Sequence, residues 1–213
     1  MLVIFDCDGV LIDSEILSAG VDAAILAEYG YEISAADLAH RFAGITTDGI
    51  FKLIGEEIGR AFPDEVLERA KRETDIRLRK DVVPIDGVHE MLDALDDPRC
   101  ICSNSRSHRL EVSLVKVGLW DRFRPYVFSA QEVGTKRGKP APDVFLHAAE
   151  IFETAPADAV VIEDSVTGVT GASHTWPGHG EALMDAGAVT VVRRHADLPP
   201  TLEALREWRQ PPL

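Results

Sequence analysis

Residues 2–5 are uninterrupted apolar positions, Leu-Val-Ile-Phe, and they give way at once to Asp6-Cys7-Asp8-Gly9. A short apolar run without polar alternation is the pattern of a strand buried on both faces. The pattern returns at 99–102 (Arg-Cys-Ile-Cys) ahead of Ser103-Asn104-Ser105, and at 159–162 (Ala-Val-Val-Ile) ahead of Glu163-Asp164-Ser165. It recurs at 188–192 (Ala-Val-Thr-Val-Val) after Gly187, and more weakly at Tyr126-Val127-Phe128 ahead of Ser129. Between these runs lie helix-period segments at about 88–96, 107–117, 142–152 and 166–173. Strands alternating with helices predict an α/β fold with a doubly wound, mostly parallel, Rossmann-like sheet. The polar strand tips would converge on the carboxyl edge, where open α/β sheets bind their ligands.

Residues 14–80 break the alternation. They hold helical patterns at Val21–Tyr29, Asp48–Ile58 and Asp64–Leu78, with Ser34 and Asp64 as helix starts, Gly30 and Gly44 as punctuation, and Pro84 just beyond. The expected organisation is a core of residues 1–13 and 81–213 with an α-helical cap inserted at 14–80. The Pro-rich end (Pro199-Pro200, Pro211-Pro212) reads as a surface tail.

Composition narrows the partners. The chain has 213 residues, 46% of them hydrophobic, enough for one full core and a smaller insertion. A net charge of −14 disfavours nucleic acid and anionic membrane, because phosphate contacts need clustered cations. An anionic substrate would need a local positive pocket. Cys7, Cys100 and Cys102 are an odd number, with two in strand-like runs, and read as buried thiols of a cytoplasmic protein. The first apolar run stops at Asp6, too early for a signal peptide, and no stretch is long enough to span a bilayer.

The candidate chemistry sits at the strand ends. Asp6 and Asp8 are too close for both charges to stay unpaired, so a cation, a divalent metal foremost, is expected beside them. Asp6, first out of the strand, suits in-line attack on phosphorus; Asp8 could protonate the leaving oxygen and then deprotonate the attacking water. Gly9 permits a sharp turn and offers an amide to an anion. Ser103 and the amide of Asn104 could hydrogen-bond phosphate oxygens. Lys139, between two prolines' worth of rigid loop in Gly138-Lys139-Pro140-Ala141-Pro142, is a placed point cation suited to phosphate. Asp164 is the expected metal ligand from the third strand tip, and Glu163 either accepts from a metal-bound water or pairs with Lys139. Mg²⁺ prefers oxygen ligands, which Asp6, the Asp8 carbonyl, Asp164, substrate phosphate and waters would supply. Read singly, the opening acids could be loop or helix-capping groups, Ser103-Asn104-Ser105 a turn, Lys139 a solvated charge and Glu163-Asp164 a helix start. Their placement at three strand tips and one loop favours a shared site.

Asp6-Cys7-Asp8-Gly9-Val10-Leu11-Ile12-Asp13-Ser14-Glu15 closely resembles the first motif of the haloacid dehalogenase superfamily. Ser103 resembles the second, Lys139 in Lys-Pro-Ala-Pro-Asp the third, and Glu163-Asp164-Ser165-Val166-Thr167-Gly168 the fourth. The helical insertion resembles the cap of the phosphatase and β-phosphoglucomutase branch. The resemblance implies a Mg²⁺-dependent phosphohydrolase acting on a small phosphorylated metabolite through an aspartyl-phosphate. Asp8 points away from the dehalogenases themselves. Mutases of the branch carry His and Arg where this chain has Ser18 and Thr47, which shifts the reading from mutase to phosphatase. A β-phosphoglucomutase-like mutase and a non-catalytic phosphometabolite-binding module remain the alternatives.

The segment after the fourth motif is longer than the family pattern before Ala186-Gly187, and His174-Thr175-Trp176-Pro177-Gly178-His179 within it reads as a surface loop rather than a metal site. His40, His89, His108, His147 and His195 read as solvated or packed. Arg106 is open between neutralising substrate and being an exposed helix-start cation.

Overall fold

The computed structural model describes residues 1–42, 45–165, 184, 188–192 and 194–209. The chain divides into two compact units, Met1–Ile12 with Pro84–Leu213, and Asp13–Val83.

The first unit is built on four parallel strands, β1 (Leu2–Phe5), β2 (Arg99–Ser103), β3 (Val127–Ser129) and β4 (Ala159–Ile162), in the order β3-β2-β1-β4. β1 is central because all four of its side chains are buried, so neither face can meet water. Leu2 and Ile4 pack with Cys100, Cys102, Val144 and Ala148. Alternation sends Val3 and Phe5 to the other face, where Phe5 meets the Phe123 ring edge-on at 5.8 Å. Phe5 aligns with Ile101 and with Ile162, so β1 and β4 end level while β2 runs two residues further, to Ser103. Cys7, Cys100 and Cys102 are buried free thiols.

The second unit is helical: α1 (Glu15–Glu28), α2 (Ala35–Arg41), α3 (Thr47–Glu57) and α4 (Asp64–Asp81). Ser34 and Thr46 cap α2 and α3 by accepting from the N–H groups of Asp37 and Gly49. Asp64 is the first helical residue of α4, with Pro63 at the cap. Acids Asp64 and Glu65 open α4 and Arg79 and Lys80 close it, in the sense the helix dipole favours. Val66, Ala70, Thr74 and Leu78 form its buried stripe at four-residue spacing, and Val66 and Ala70 join Ile25, Leu26, Leu38, Phe51 and Ile54 in this unit's core.

Back in the first unit, the chain forms α5 (Val88–Asp93), α6 (Ser107–Lys116), α7 (Trp120–Phe123), α8 (Asp143–Ile151) and α9 (Leu198–Arg209). Two sequence expectations are corrected here. Residues 188–192 form no strand: strand propensity reports fitness for a pleated surface, but a ladder needs a partner edge, and Val189 is instead exposed. The Pro199-Pro200 stretch is no surface tail, because both prolines fall in the first turn of α9, where their missing N–H groups would have no intrahelical partner, and Leu198 and Leu202 are buried. The expected helix at 166–173, Gly44, Val166-Thr167-Gly168, the His174–His179 stretch, Ala186-Gly187 and Pro211-Pro212 lie outside the described residues. Among the described residues no helix is long and apolar enough to cross a membrane.

The link out of β1 is knitted. The Cys7 carbonyl accepts from the N–H groups of Leu11 (2.9 Å) and Ile12 (3.1 Å), and Gly9 N–H donates to the Ile12 carbonyl at 2.9 Å. Ile12 forms an antiparallel bridge with Pro84, and Ile85 N–H donates to the Leu11 carbonyl at 3.1 Å.

Candidate active site

Three strand tips and one loop assemble the site. Asp6 leaves β1 with its N–H still donating to the Ile162 carbonyl of β4 at 2.8 Å, which fixes it beside Glu163 and Asp164. Carboxylate oxygens of Asp6, Glu163 and Asp164 lie within 4.8 Å of one another, and all three residues are buried. The Lys139 ammonium, from the loop before α8, donates to Asp6 Oδ1 at 2.7 Å and to Glu163 Oε1 at 2.5 Å. Its Nζ also stands 5.2 Å from the centre of the Phe145 ring. Glu163 Oε2 accepts from the N–H (3.2 Å) and the hydroxyl (2.9 Å) of Ser165. Both oxygens of Glu163 are therefore engaged by protein donors, and the carboxylate serves Lys139.

Gly9 follows with φ +79°, and a Cβ built there would stand 1.8 Å from Asp164 Oδ2. The turn thus needs glycine twice over, for its left-handed backbone and for the carboxylate pressed against it.

Asp8 Oδ2 accepts from the Ser105 hydroxyl at 2.7 Å and, at a longer 3.4 Å, from Ser103; the Ser103 oxygen accepts the Ser105 N–H at 3.0 Å. Ser105 is a residue the sequence reading passed over. The signal was available: positions 103 and 105 alternate, so both can face the same side as the chain leaves β2. Asn104 has a second part as well. Its Oδ1 accepts the Lys139 N–H at 2.7 Å, its Nδ2 donates to the Lys139 carbonyl at 3.4 Å, and its carbonyl accepts from Gln131 Nε2 at 2.6 Å. The side chain clamps the main chain that carries the ammonium. Arg106 is exposed at the N-terminus of α6, whose first N–H is instead capped by Glu132 at 2.9 Å.

Charge is out of balance. Burial pushes the Asp6 carboxyl up to about 8; Lys139 pulls it down, while Glu163 and Asp8 push it further up. Burial alone would lower the Lys139 ammonium, yet Asp6 and Glu163 hold it above the ordinary lysine value. Burial and the two nearby acids raise the Cys7 thiol, which is therefore kept neutral. Among the described residues, Asp6, Asp8, Glu163 and Asp164 with the Lys139 ammonium make an acidic, oxygen-rich cluster that suits a hard divalent cation.

In the helical unit, the Thr47 hydroxyl donates to the buried Asp22 carboxylate at 3.2 Å. Position 47 thus faces an acid, and position 18 is a serine.

Residues 3–175 match the haloacid dehalogenase-like hydrolase family. A conserved haloacid dehalogenase-like protein of unknown function from Agrobacterium tumefaciens superposes with a TM-score of 0.87 at 46% identity, covering 96% of this chain and 98% of that one. The 6-phosphogluconate phosphatase of Escherichia coli K12 is 28% identical over 78% of this chain and 75% of its own length. The β-phosphoglucomutase of Bacillus subtilis 168 is 29% identical over 98% of this chain and 95% of its own. The chain belongs to the haloacid dehalogenase-like hydrolase family, in its phosphatase and β-phosphoglucomutase-like branch.

Proposed function

We propose that the protein is a Mg²⁺-dependent phosphatase that hydrolyses a small phosphorylated metabolite, a sugar or sugar-acid phosphate, through an aspartyl-phosphate on Asp6. The observation that carries the reading is Lys139 bridging Asp6 and Glu163 at 2.7 and 2.5 Å inside an otherwise anionic pocket. That ammonium fixes a nucleophile and offers the positive charge that a −14 chain needs to accept phosphate.

Asp6 attacks phosphorus in line. The Asp6–phosphorus bond forms as the bond to the leaving oxygen breaks, and Asp8, held by Ser105, supplies that oxygen with a proton. Asp8 then takes a proton from the water that hydrolyses the acyl phosphate. Lys139, the Ser103 hydroxyl and the amides of Gly9 and Asn104 hold the phosphoryl oxygens. Asp6, the Asp8 carbonyl and Asp164 would hold Mg²⁺, which supplies compensating positive charge to the phosphoryl group.

Neither Ser18 nor Thr47 offers a cation, and Thr47 is bonded to Asp22, so a second phosphate on the substrate would lose a charge-assisted partner. Incubation with β-glucose 1-phosphate, with and without trace glucose 1,6-bisphosphate, tests the choice. Net release of inorganic phosphate without bisphosphate is expected. Efficient conversion to glucose 6-phosphate would make the protein a mutase, and no turnover of any sugar, sugar-acid or nucleotide phosphate would leave a binding module.

Two further results are expected. Turnover should vanish in excess chelator and be suppressed by Ca²⁺, which takes more oxygen ligands and would compete for the Asp6 oxygen that attacks phosphorus. A cation must also displace the proton that burial keeps on Asp6. The Mg²⁺ concentration for half-maximal activity should therefore fall as pH rises from 6 toward about 8, and then level off. A requirement that is flat across this range would contradict the placement of the cation against Asp6. Gly9→Ala should displace Asp164 and raise the same Mg²⁺ requirement at least about tenfold, the equivalent of one lost charged interaction.

A further inference from the structure

His195 lies 185 residues along the chain from Val10, yet its Nε2 is 2.8 Å from the Val10 carbonyl, and both residues are buried. Val10 follows Asp8 and Gly9 and precedes Ile12, the last residue before the chain enters the helical unit. A buried carbonyl needs a donor, and a carbonyl can only accept, so the imidazole nitrogen facing it carries the hydrogen.

The histidine is itself held. It opens a 3-10 turn, His195–Asp197, that Arg194 and Asp197 close with an ion pair at 2.8 Å. The turn runs straight into α9, which is anchored by buried Leu198 and Leu202. On its other side the His195 Cβ stands where a Cβ on Gly87 would meet it at 3.6 Å, an ordinary contact, at the start of α5. His195 therefore ties the loop leaving Asp8 to the turn that opens α9, beside the start of α5. Within that loop the N–H groups of Leu11 and Ile12 donate to the Cys7 carbonyl and Gly9 N–H to the Ile12 carbonyl, while its far end is tied to the returning chain at Pro84 and Ile85; the Val10 carbonyl lies between these two sets of bonds.

We infer that His195 is a positioning residue for this hydrolase: through the Val10 carbonyl it fixes the segment from Asp8 to Ile12 and so the aim of the Asp8 carboxyl. The inference rests on the reading of Asp8 as proton carrier. A misplacement of about 1 Å costs of order 10²-fold in rate, so His195→Ala is expected to lower kcat about 10- to 100-fold toward p-nitrophenyl phosphate. KM and the Mg²⁺ requirement should change less than kcat, because Asp6, Asp164, Lys139, Ser103 and Asn104 lie outside that segment and only the Asp8 carbonyl and the Gly9 amide lie within it. His195→Gln, which keeps an N–H donor, should return kcat to within about threefold of the parent.

A folded His195→Ala protein with parental kcat would overturn the inference, as would a folded His195→Gln protein as impaired as the alanine variant. Amide exchange separates this from failure of the phosphatase reading. If the parent releases no phosphate, exchange at Leu11 and Ile12 should still be about 10- to 100-fold faster in His195→Ala, and unchanged rates sink the inference. Should alanine prevent folding, the parent should show a slowly exchanging imidazole Nε2–H signal by NMR; a rapidly exchanging one counts against the bond.

Discussion

Asp6→Asn is expected to abolish turnover while leaving a protein that is at least as stable as the parent without added cation. The amide is nearly isosteric and its oxygen can still accept from Lys139, but it is a poor nucleophile. The loss should exceed the roughly 10²–10⁴-fold that removal of an acid–base group costs. Stability follows from charge. Asp6 is raised from 3.8 to about 8, so between those values the folded protein holds a proton that the unfolded chain has released. Its contribution is fully present below about 4 and is lost as pH rises through about 8. Thermal midpoints of the cation-free parent should therefore fall across that window, and Asp6→Asn should lack this part of the slope. Near-parental turnover in the variant would remove the covalent mechanism, and parallel pH slopes would remove the charge argument.

Lys139→Met should be the second severe lesion. Methionine keeps the unbranched stem and removes the ammonium from between Asp6 and Glu163, leaving buried carboxylates without their partner. Breaking a buried pair from one side typically costs about 3–5 kcal/mol. Stability lost this way should return in part at lower pH, where a carboxylate can take a proton, or on adding a divalent cation. Turnover should not return with it, because the phosphoryl group loses its point cation. Lys139→Arg should rescue poorly, since a planar fork cannot occupy the position of one Nζ shared by two carboxylates. Melting curves with and without Mg²⁺, beside phosphate release, check both halves. An active Lys139→Met protein would exclude the ammonium from the chemistry.

Legibility in the sequence tracked range of interaction. Leu2–Phe5 was readable as a strand buried on both faces because it holds no polar position, and Phe5 and Asp6 mark the tip by a change of chemistry. Ser34 announced α2 through its own local cap. Ala-Val-Thr-Val-Val at 188–192 misled because β-branched residues state a preference, whereas a ladder depends on which edge lies alongside. Pro199-Pro200 misled because proline is hostile to a helix interior and welcome in its first turn, and only the burial of Leu198 and Leu202 distinguishes the two. Pairing with Lys139 was one of two roles open to Glu163, but the approach of Lys139 to Asp6, the clamp of Asn104 on the Lys139 peptide and the bond from His195 to Val10 join residues 35 to 185 positions apart. No periodicity encodes such pairings.

The order of the strands carries a consequence for how the chain folds. β1 precedes the helical unit, but its partners follow it: Val3 aligns with Arg99 and Leu2 with Ala159. During synthesis the Asp13–Val83 unit, whose core is drawn from its own helices, is complete before either neighbour of β1 has emerged. Closing so long a loop onto a parallel pairing is slow when the intervening chain is loose. A helical unit already formed changes that cost, because Ile12 and Pro84 then stand paired and Ile85 is bonded to Leu11. An insertion that forms first is therefore expected to act as a clip that shortens the effective distance between β1 and β2, with β1 held beside the point where the rest of the sheet will begin.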